Sequence, residues 1–294
     1  MRPRWGWLLG ASVLAAVVWW VGTDPFVRGV TALDAGTLAV GAALGVPVTV
    51  ASAWRWRLVA NGLGVDVPLG RATAACYRSQ LLNSVLPGGV LGDVHRGVDH
   101  GRAAGDPARG LRSVAWERTA GQLVQASIAV LVLVLLSSPV RSSLPGLLTL
   151  LVVGVVLLVA LVRSWSTLRA DLAMLLERRI WPGVVVASAV VVAGLVATYV
   201  VAARAVGVTA PLPTLVPLAV LVLVGAAVPA NLAGWGPREG MAAWAFAAAG
   251  LGAEQGLSAS VAFGVMVVVA VLPGAAVLVV GTRARERAEE PAHG

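Results

Sequence analysis

The sequence predicts an all-α polytopic membrane protein with about six transmembrane spans and two re-entrant helical hairpins, inserted from opposite sides as an inverted repeat. Three observations predict it. Of the 294 residues 58% are hydrophobic and 12% charged, with a mean hydropathy of +0.86, whereas soluble domains carry roughly 25% charge. Apolar runs such as "IAVLVLVLLSSPV", "LLTLLVVGVVLLVALV" and "VVVASAVVVAGLVATYVVAA" reach, with their flanks, the ~20 residues a helix needs to cross hydrocarbon. Arginines crowd alternate loops between these runs, as the positive-inside rule requires.

The elements follow in order. Arg2 and Arg4 place the N-terminus in the cytoplasm, and "WGWLLGASVLAAVVWWVG" ends in Trp19-Trp20 rather than a small-x-small cleavage site, so it reads as a retained first span over about 5–22. The loop "TDPFVRGVTALD" has one Arg against two Asp and is expected outside. Span two, about 36–54, returns inward and finishes in Arg55, Arg57 and Arg71, with Trp54 and Trp56 at the depth of an aromatic belt. The segment from Pro68 to Leu86 carries Arg71, Arg78, Gln80 and Asn83 and runs into Pro87-Gly88-Gly89; Arg96 to Arg118 then holds five arginines. Both ends of 68–111 therefore lie on the cytoplasmic side, and its middle enters and turns back.

Spans at about 113–136, 145–162 and 183–203 follow, with Arg141 in one loop and Arg163, Arg169, Arg178 and Arg179 in the other. The run 214–228 breaks at Pro229 and resumes after "ANLAGWGPREG", before a last span over about 257–280. With Arg283, Arg285 and Arg287 cytoplasmic, 211–252 enters and leaves from outside, the inverse of the first hairpin. One domain thus fills 1–285, and 286–294 is a cytoplasmic tail. Oppositely inserted broken helices are the mark of inverted-repeat membrane proteins, whose breaks meet near the midplane. Pro87, Gly92 and Arg96 have the same spacing as Pro229, Gly234 and Arg238.

Composition excludes several chemistries. All 22 basic residues are Arg, so a P-loop, a Schiff-base lysine and a lysine general base are impossible. The charge of +8 follows from loop arginines beside spans and implies no nucleic-acid partner. Cys76 stands alone, which rules out an internal disulfide and fits a small apolar packer. Asp93, His95, Asp99 and His100 lack metal-ligand spacing and read as a solvated loop. No G-x-S-x-G nucleophile and no paired-Asp phosphatidyl-transfer motif is present, so no catalytic residue, metal or cofactor is expected. Gly6/Gly10 and Gly41/Gly45 have the spacing that packs helices closely.

The breaks are where polar chemistry concentrates. Backbone broken at membrane depth must line a wet cavity, a half-helix restarting there offers free N–H groups and a positive dipole end, and a guanidinium grips phosphate bidentately. Asp93 with Arg96, Glu117-Arg118 and Arg238-Glu239 are the ionisable groups nearest hydrocarbon. Such groups cost about 2.5–3.5 kcal/mol each to insert, and they pair or function.

"LLNSVLPGGVLGDVHRG", "RSVAWERTAGQLVQ" and "VPANLAGWGPREGMAAWAFAAAGLG" together resemble the lysylphosphatidylglycerol synthase transmembrane (flippase-like) family, over about residues 5–285. The resemblance implies a polytopic protein linked to movement of aminoacylated phospholipids or polyprenyl-linked sugars between leaflets. The aminoacyl-transferase domain that some members carry is not expected here. It implies site residues Asn83, Pro87, Gly88, Gly89, Asp93 and Arg96 in the first motif and Glu117 and Arg118 in the second. In the third it implies Gly234, Gly236, Arg238, Glu239 and Gly240. Asn231, also taken as substrate-binding, stands where small residues or Ser are accepted, and Pro237 replaces a commonly aliphatic position.

The expectation is a translocase in the cell membrane, with both termini cytoplasmic, whose arginines hold the phosphate of an anionic phospholipid or polyprenyl-phosphate glycolipid. Two alternatives stand beside it. One is a scaffold for a cell-envelope glycosyltransferase or synthase, homo-oligomeric or not. The other is an enzyme acting on a lipid-phosphate donor, with Asp93 or Glu239 as general base.

Overall fold

A computed structural model describes residues 22–86, 89–136, 140–228 and 235–279, with 15, 18 and 19. Among them all regular structure is helical. The helices are α1 Asp24–Thr31, α2 Ala35–Gly62, α3 Leu69–Val85, α4 Leu91–Ala103, α5 Pro107–Leu135, α6 Leu144–Ser164, α7 Ser166–Leu175, α8 Trp181–Ala205, α9 Leu212–Ala226, α10 Pro237–Ala248 and α11 Ala253–Val271. The protein is a polytopic helical membrane protein. Five helices are long and apolar enough to cross a bilayer: Ala35–Gly62, Pro107–Leu135, Leu144–Ser164, Trp181–Ala205 and Ala253–Val279. They correspond to the second to sixth expected spans. Most of the first, like Gly6/Gly10 and the tail 286–294, lies outside the described residues.

Local chemistry sets the helix starts. Asp34 caps α2 by accepting the Thr37 N–H at 2.7 Å, and Asp106 caps α5 by accepting that of Arg109 at 2.9 Å, with Pro107 in the first turn. Pro237 begins α10 in the same way, so the proline that departs from the family pattern suits its position.

α2 runs past the expected end of its span, and the difference has a physical cause. Arg55 and Trp56 lie inside the helix and are buried, because Glu117 neutralises the former and the Ser113 hydroxyl accepts the latter's indole N–H at 3.1 Å. Trp56 is therefore a core residue and not part of an aromatic belt.

α2 packs along α8 and α11 at the centre, with α5 beside them. Between helices in lipid the hydrophobic effect supplies little, and close packing of small residues replaces it. Gly45 shows this: a Cβ there would stand 2.4 Å from Ala270 Cβ, so the Gly41/Gly45 pair does set the α2–α11 approach. α3 and α4 form one helix–break–helix hairpin against α2 and α5, and α9 and α10 form a second against α5, α8 and α11. The most apolar of the five long helices, α6, is peripheral; Leu150 and Leu157 are 62% and 65% exposed, a face suited to acyl chains.

Candidate functional site

The first hairpin folds around Asp93. The Asn83 side chain, at the end of α3, accepts the Gly92 N–H at 2.8 Å and donates to Asp93 Oδ2 at 3.0 Å. One turn earlier the Ser79 hydroxyl donates to Asp93 Oδ1 at 2.9 Å. Gly92 permits this crossing, since a Cβ there would lie 2.2 Å from the Ser79 carbonyl oxygen. Arg96 then donates through Nη2 to Asp93 Oδ1 at 3.0 Å and Glu117 Oε2 at 3.1 Å, and through Nη1 to Cys76 Sγ at 2.9 Å. Its guanidinium lies 4.4 Å from the Trp56 ring centroid, a cation–π contact. Arg55 donates from Nε to Glu117 Oε1 at 2.8 Å and from Nη1 to Ser188 Oγ at 3.1 Å. Arg118, whose side chain is 46% exposed, pairs with Asp93 Oδ2. Five charges on three helices thus form one chain, Arg55–Glu117–Arg96–Asp93–Arg118.

The second hairpin builds a smaller version. Gly236 precedes α10 at φ +123°, a conformation that only glycine adopts readily. Its N–H donates to Glu239 Oε2 at 2.7 Å. Glu239 Oε1 accepts from Arg238 Nε at 2.8 Å and from Ser260 Oγ at 3.1 Å, and Glu239 is fully buried. Trp235 and Phe263 each lie 5.4 Å from the Arg238 guanidinium.

Both clusters line one cavity of about 340 Å³, walled also by α2, α5, α8 and α11. Between them α5 presents Arg118, Gln122 and Gln125 to it; the span from Glu117 to Gln125 covers about 12 Å at ~1.5 Å per residue. Gln125 donates to the Leu223 carbonyl of α9 at 2.8 Å, which ties this polar stripe to the second hairpin.

Residues 7–274 match the family described as Lysylphosphatidylglycerol synthase TM region. The chain belongs to that family. Comparison with curated proteins gave no match.

In this family member the cavity brings Asn83, Gly89, Asp93, Arg96, Glu117, Arg118 and Arg238 to one space, with Gly236 and Glu239 immediately behind Arg238. Pro87, Gly88, Asn231 and Gly234 lie outside the described residues.

Three expectations change. The two hairpins do not share an arginine register, since Arg96 lies one and a half turns inside α4 and Arg238 in the first turn of α10. What they share is an acidic third residue, Asp93 or Glu239, with an arginine and a serine on one carboxylate oxygen. The helix N-termini offer fewer free N–H groups than expected, because Asn83 takes that of Gly92 and Glu239 that of Gly236; Arg96, Arg118 and Arg238 border the cavity. Asp93, His95, Asp99 and His100 lie on α4 and not in a solvated loop. There Arg78 pairs with Asp99 at 3.0 Å and His100 packs edge-on to Trp56 at 4.9 Å. No group of three His, Cys, Asp or Glu able to hold a metal occurs among the described residues.

Sequence reasoning missed Arg55, Ser79, Ser188 and Ser260, and took Cys76 for a packer only. Ser79 was findable, being one helical turn before Asn83 and so on its face. Arg55 was hidden by sitting at the end of an apolar run, where a loop position is the ordinary expectation.

Proposed function

We propose that this family member is a lipid translocase that passes an anionic headgroup through the central cavity while the acyl or prenyl chains stay in the bilayer. The observation that carries the reading is one arginine-lined cavity enclosed by both hairpins inside an otherwise apolar bundle. Ionisable groups at such depth are costly, and a bundle needing only stability packs more cheaply with apolar residues.

In this reading the hairpins are re-entrant, α3–α4 from the cytoplasmic side and α9–α10 from the opposite side. Arg118 is the first guanidinium a headgroup meets, and Arg238 the last. The polar face of α5 joins them, so that a phosphate exchanges one guanidinium for another without crossing bare hydrocarbon. The testing variant is Arg118→Ala rather than Arg238→Ala, because removing Arg238 strands the buried Glu239 carboxylate and unfolding would confuse the result. Asp93 keeps Arg96, Ser79 and Asn83 without Arg118. In proteoliposomes with headgroup-labelled anionic lipid, wild type is expected to accelerate leaflet exchange and Arg118→Ala to lose most of that with unchanged thermal stability. Equal exchange by the variant refutes the assigned route.

A further inference from the structure

The geometry points to a second binding site, apart from the central cavity, for a zwitterionic group that carries a primary ammonium near an acidic oxygen. It goes beyond the translocase reading and does not depend on it. The site is a recess of about 580 Å³ where three helix ends meet: α1 with Arg28, the end of α8 around Val206, and the start of α11 with Glu254 and Ser258. Gly29 seats α1 directly on α11, since a Cβ there would lie 2.7 Å from the Ser258 carbonyl oxygen. Ser258 is thereby buried, at 3% exposure, yet its hydroxyl borders the recess and has no hydrogen-bond partner. A serine buried in a helix commonly bonds the carbonyl one turn back, as Ser52 and Ser188 do. Ser258 does not, and a buried hydroxyl without a partner is costly; a ligand in the recess supplies one.

The charges of the recess set the ligand class. Arg28 donates through Nη2 to Glu254 Oε2 at 2.6 Å, and among the described residues no other ionisable side chain lines the recess. Both partners are more than half exposed. Exposed ion pairs add little net stability, so a ligand displaces this one readily. The backbone repeats the polarity. α11 begins at Gly252 with no side-chain cap for its first N–H groups, and the last turn of α8, at Ala205 and Val206, turns carbonyls outward. A helix start favours an anion and a helix end a cation. A lone anion in the recess meets Glu254 and a lone cation meets Arg28. A zwitterion pairs with both, its acidic oxygen on Arg28 and the start of α11, its ammonium on Glu254 and the end of α8. Val27 and Val30 on the same α1 are 59% and 52% exposed, an apolar shoulder suited to the chains of a lipid with a phosphoethanolamine head.

The test places an environment-sensitive dye on Val30→Cys in the detergent-purified full chain, Cys76 being buried, so that the signal is local to the recess and not to the central cavity. Glycerophosphoethanolamine is expected to give a saturable emission shift. Glycerophosphoglycerol and ethanolamine, with one charge each, are expected to bind at least about tenfold more weakly. Ser258→Ala is expected to weaken glycerophosphoethanolamine severalfold with an unchanged thermal midpoint, because the hydroxyl it removes holds nothing in the fold. Glu254→Gln leaves Arg28 alone and is expected to reverse the preference in favour of glycerophosphoglycerol. Dihexanoyl phosphatidylethanolamine binding more tightly than its head group alone assigns a lipid as the source, and equal binding assigns a free zwitterion; both support the chemistry. No dye response to glycerophosphoethanolamine, equal binding of the three soluble probes, full affinity in Ser258→Ala, or an unreversed preference in Glu254→Gln overturns the inference.

Discussion

Arg55 on α2 holds Glu117 on α5 through two nitrogens, Nε at 2.8 Å and Nη2, both on the same carboxylate oxygen. The other oxygen takes Arg96 from α4, so one buried carboxylate joins two membrane-spanning helices to the first hairpin. Removing one partner of a buried pair leaves an uncompensated charge and costs about 3–5 kcal/mol. Arg55→Ala is expected to destabilise by that order, read as a lowered thermal midpoint in detergent. The double variant Arg55→Ala/Glu117→Ala is expected to be less destabilised than the sum of its singles, because each mutation relieves the charge the other strands. Additive losses would show that the pair is not coupled.

Gly236 provides a local prediction at the second hairpin. Its φ of +123° penalises any Cβ, and the backbone N–H held by Glu239 keeps the residue from relaxing. Gly236→Ala is expected to cost about 1–3 kcal/mol of strain, whereas Gly154→Ala, on α6 with no atom within 4 Å of the added Cβ, is expected to be neutral or slightly stabilising. Comparing their thermal midpoints separates strain from mere loss of glycine.

These two residues also show what was legible. Gly236 stands in a Gly-x-Gly-x-Arg-Glu-Gly pattern, and broken backbone announces itself through Pro and Gly. Long apolar runs announce spans, and five of the six expected ones appear as helices. Arg55 was not legible, because whether a charge at the end of an apolar run leaves the helix or stays buried is decided by a partner 62 positions away. Ser260, the serine under Glu239, is equally silent, since serine is at home in many helices, whereas Ser79 under Asp93 shares the face of Asn83 one turn on. The shared Pro, Gly and Arg spacing misled on register: what the hairpins share is a carboxylate third from the helix start, and the arginine can reach it from either side.

Acid stability should respond at the start of α5. The Asp106 carboxylate accepts the Arg109 N–H, which holds its pKa below the usual carboxylate value. A group with a lowered folded pKa contributes stability above its unfolded value of ~3.9 and loses it as pH falls through the folded one. The thermal midpoint is therefore expected to drop below about pH 4, and less so in Asp106→Asn, which keeps the cap without a titrating group. Identical acid limbs would exclude this contribution.

Two glycines make room for guanidiniums, and this separates position from folding. A Cβ on Gly121 of α5 would stand 2.6 Å from Arg55 Nη1, and one on Gly264 of α11 would stand 2.5 Å from Arg238 Nη2. The neighbour in each case is the far end of a long side chain, which can move aside. At Gly264 the displaced guanidinium borders the cavity; at Gly121 it belongs to the Arg55–Glu117 clamp. Gly264→Ala is expected to reduce leaflet exchange severalfold and also to lower the thermal midpoint, because Arg238 Nη2 pairs with the buried Glu239 carboxylate. Gly121→Ala is expected to lower the midpoint with a smaller loss of exchange, because it displaces the Arg55 that joins Glu117 and Ser188 while Glu117 keeps Arg96. A lowered midpoint in Gly264→Ala with leaflet exchange unchanged would mean that Arg238 serves the fold and not the passage of lipid.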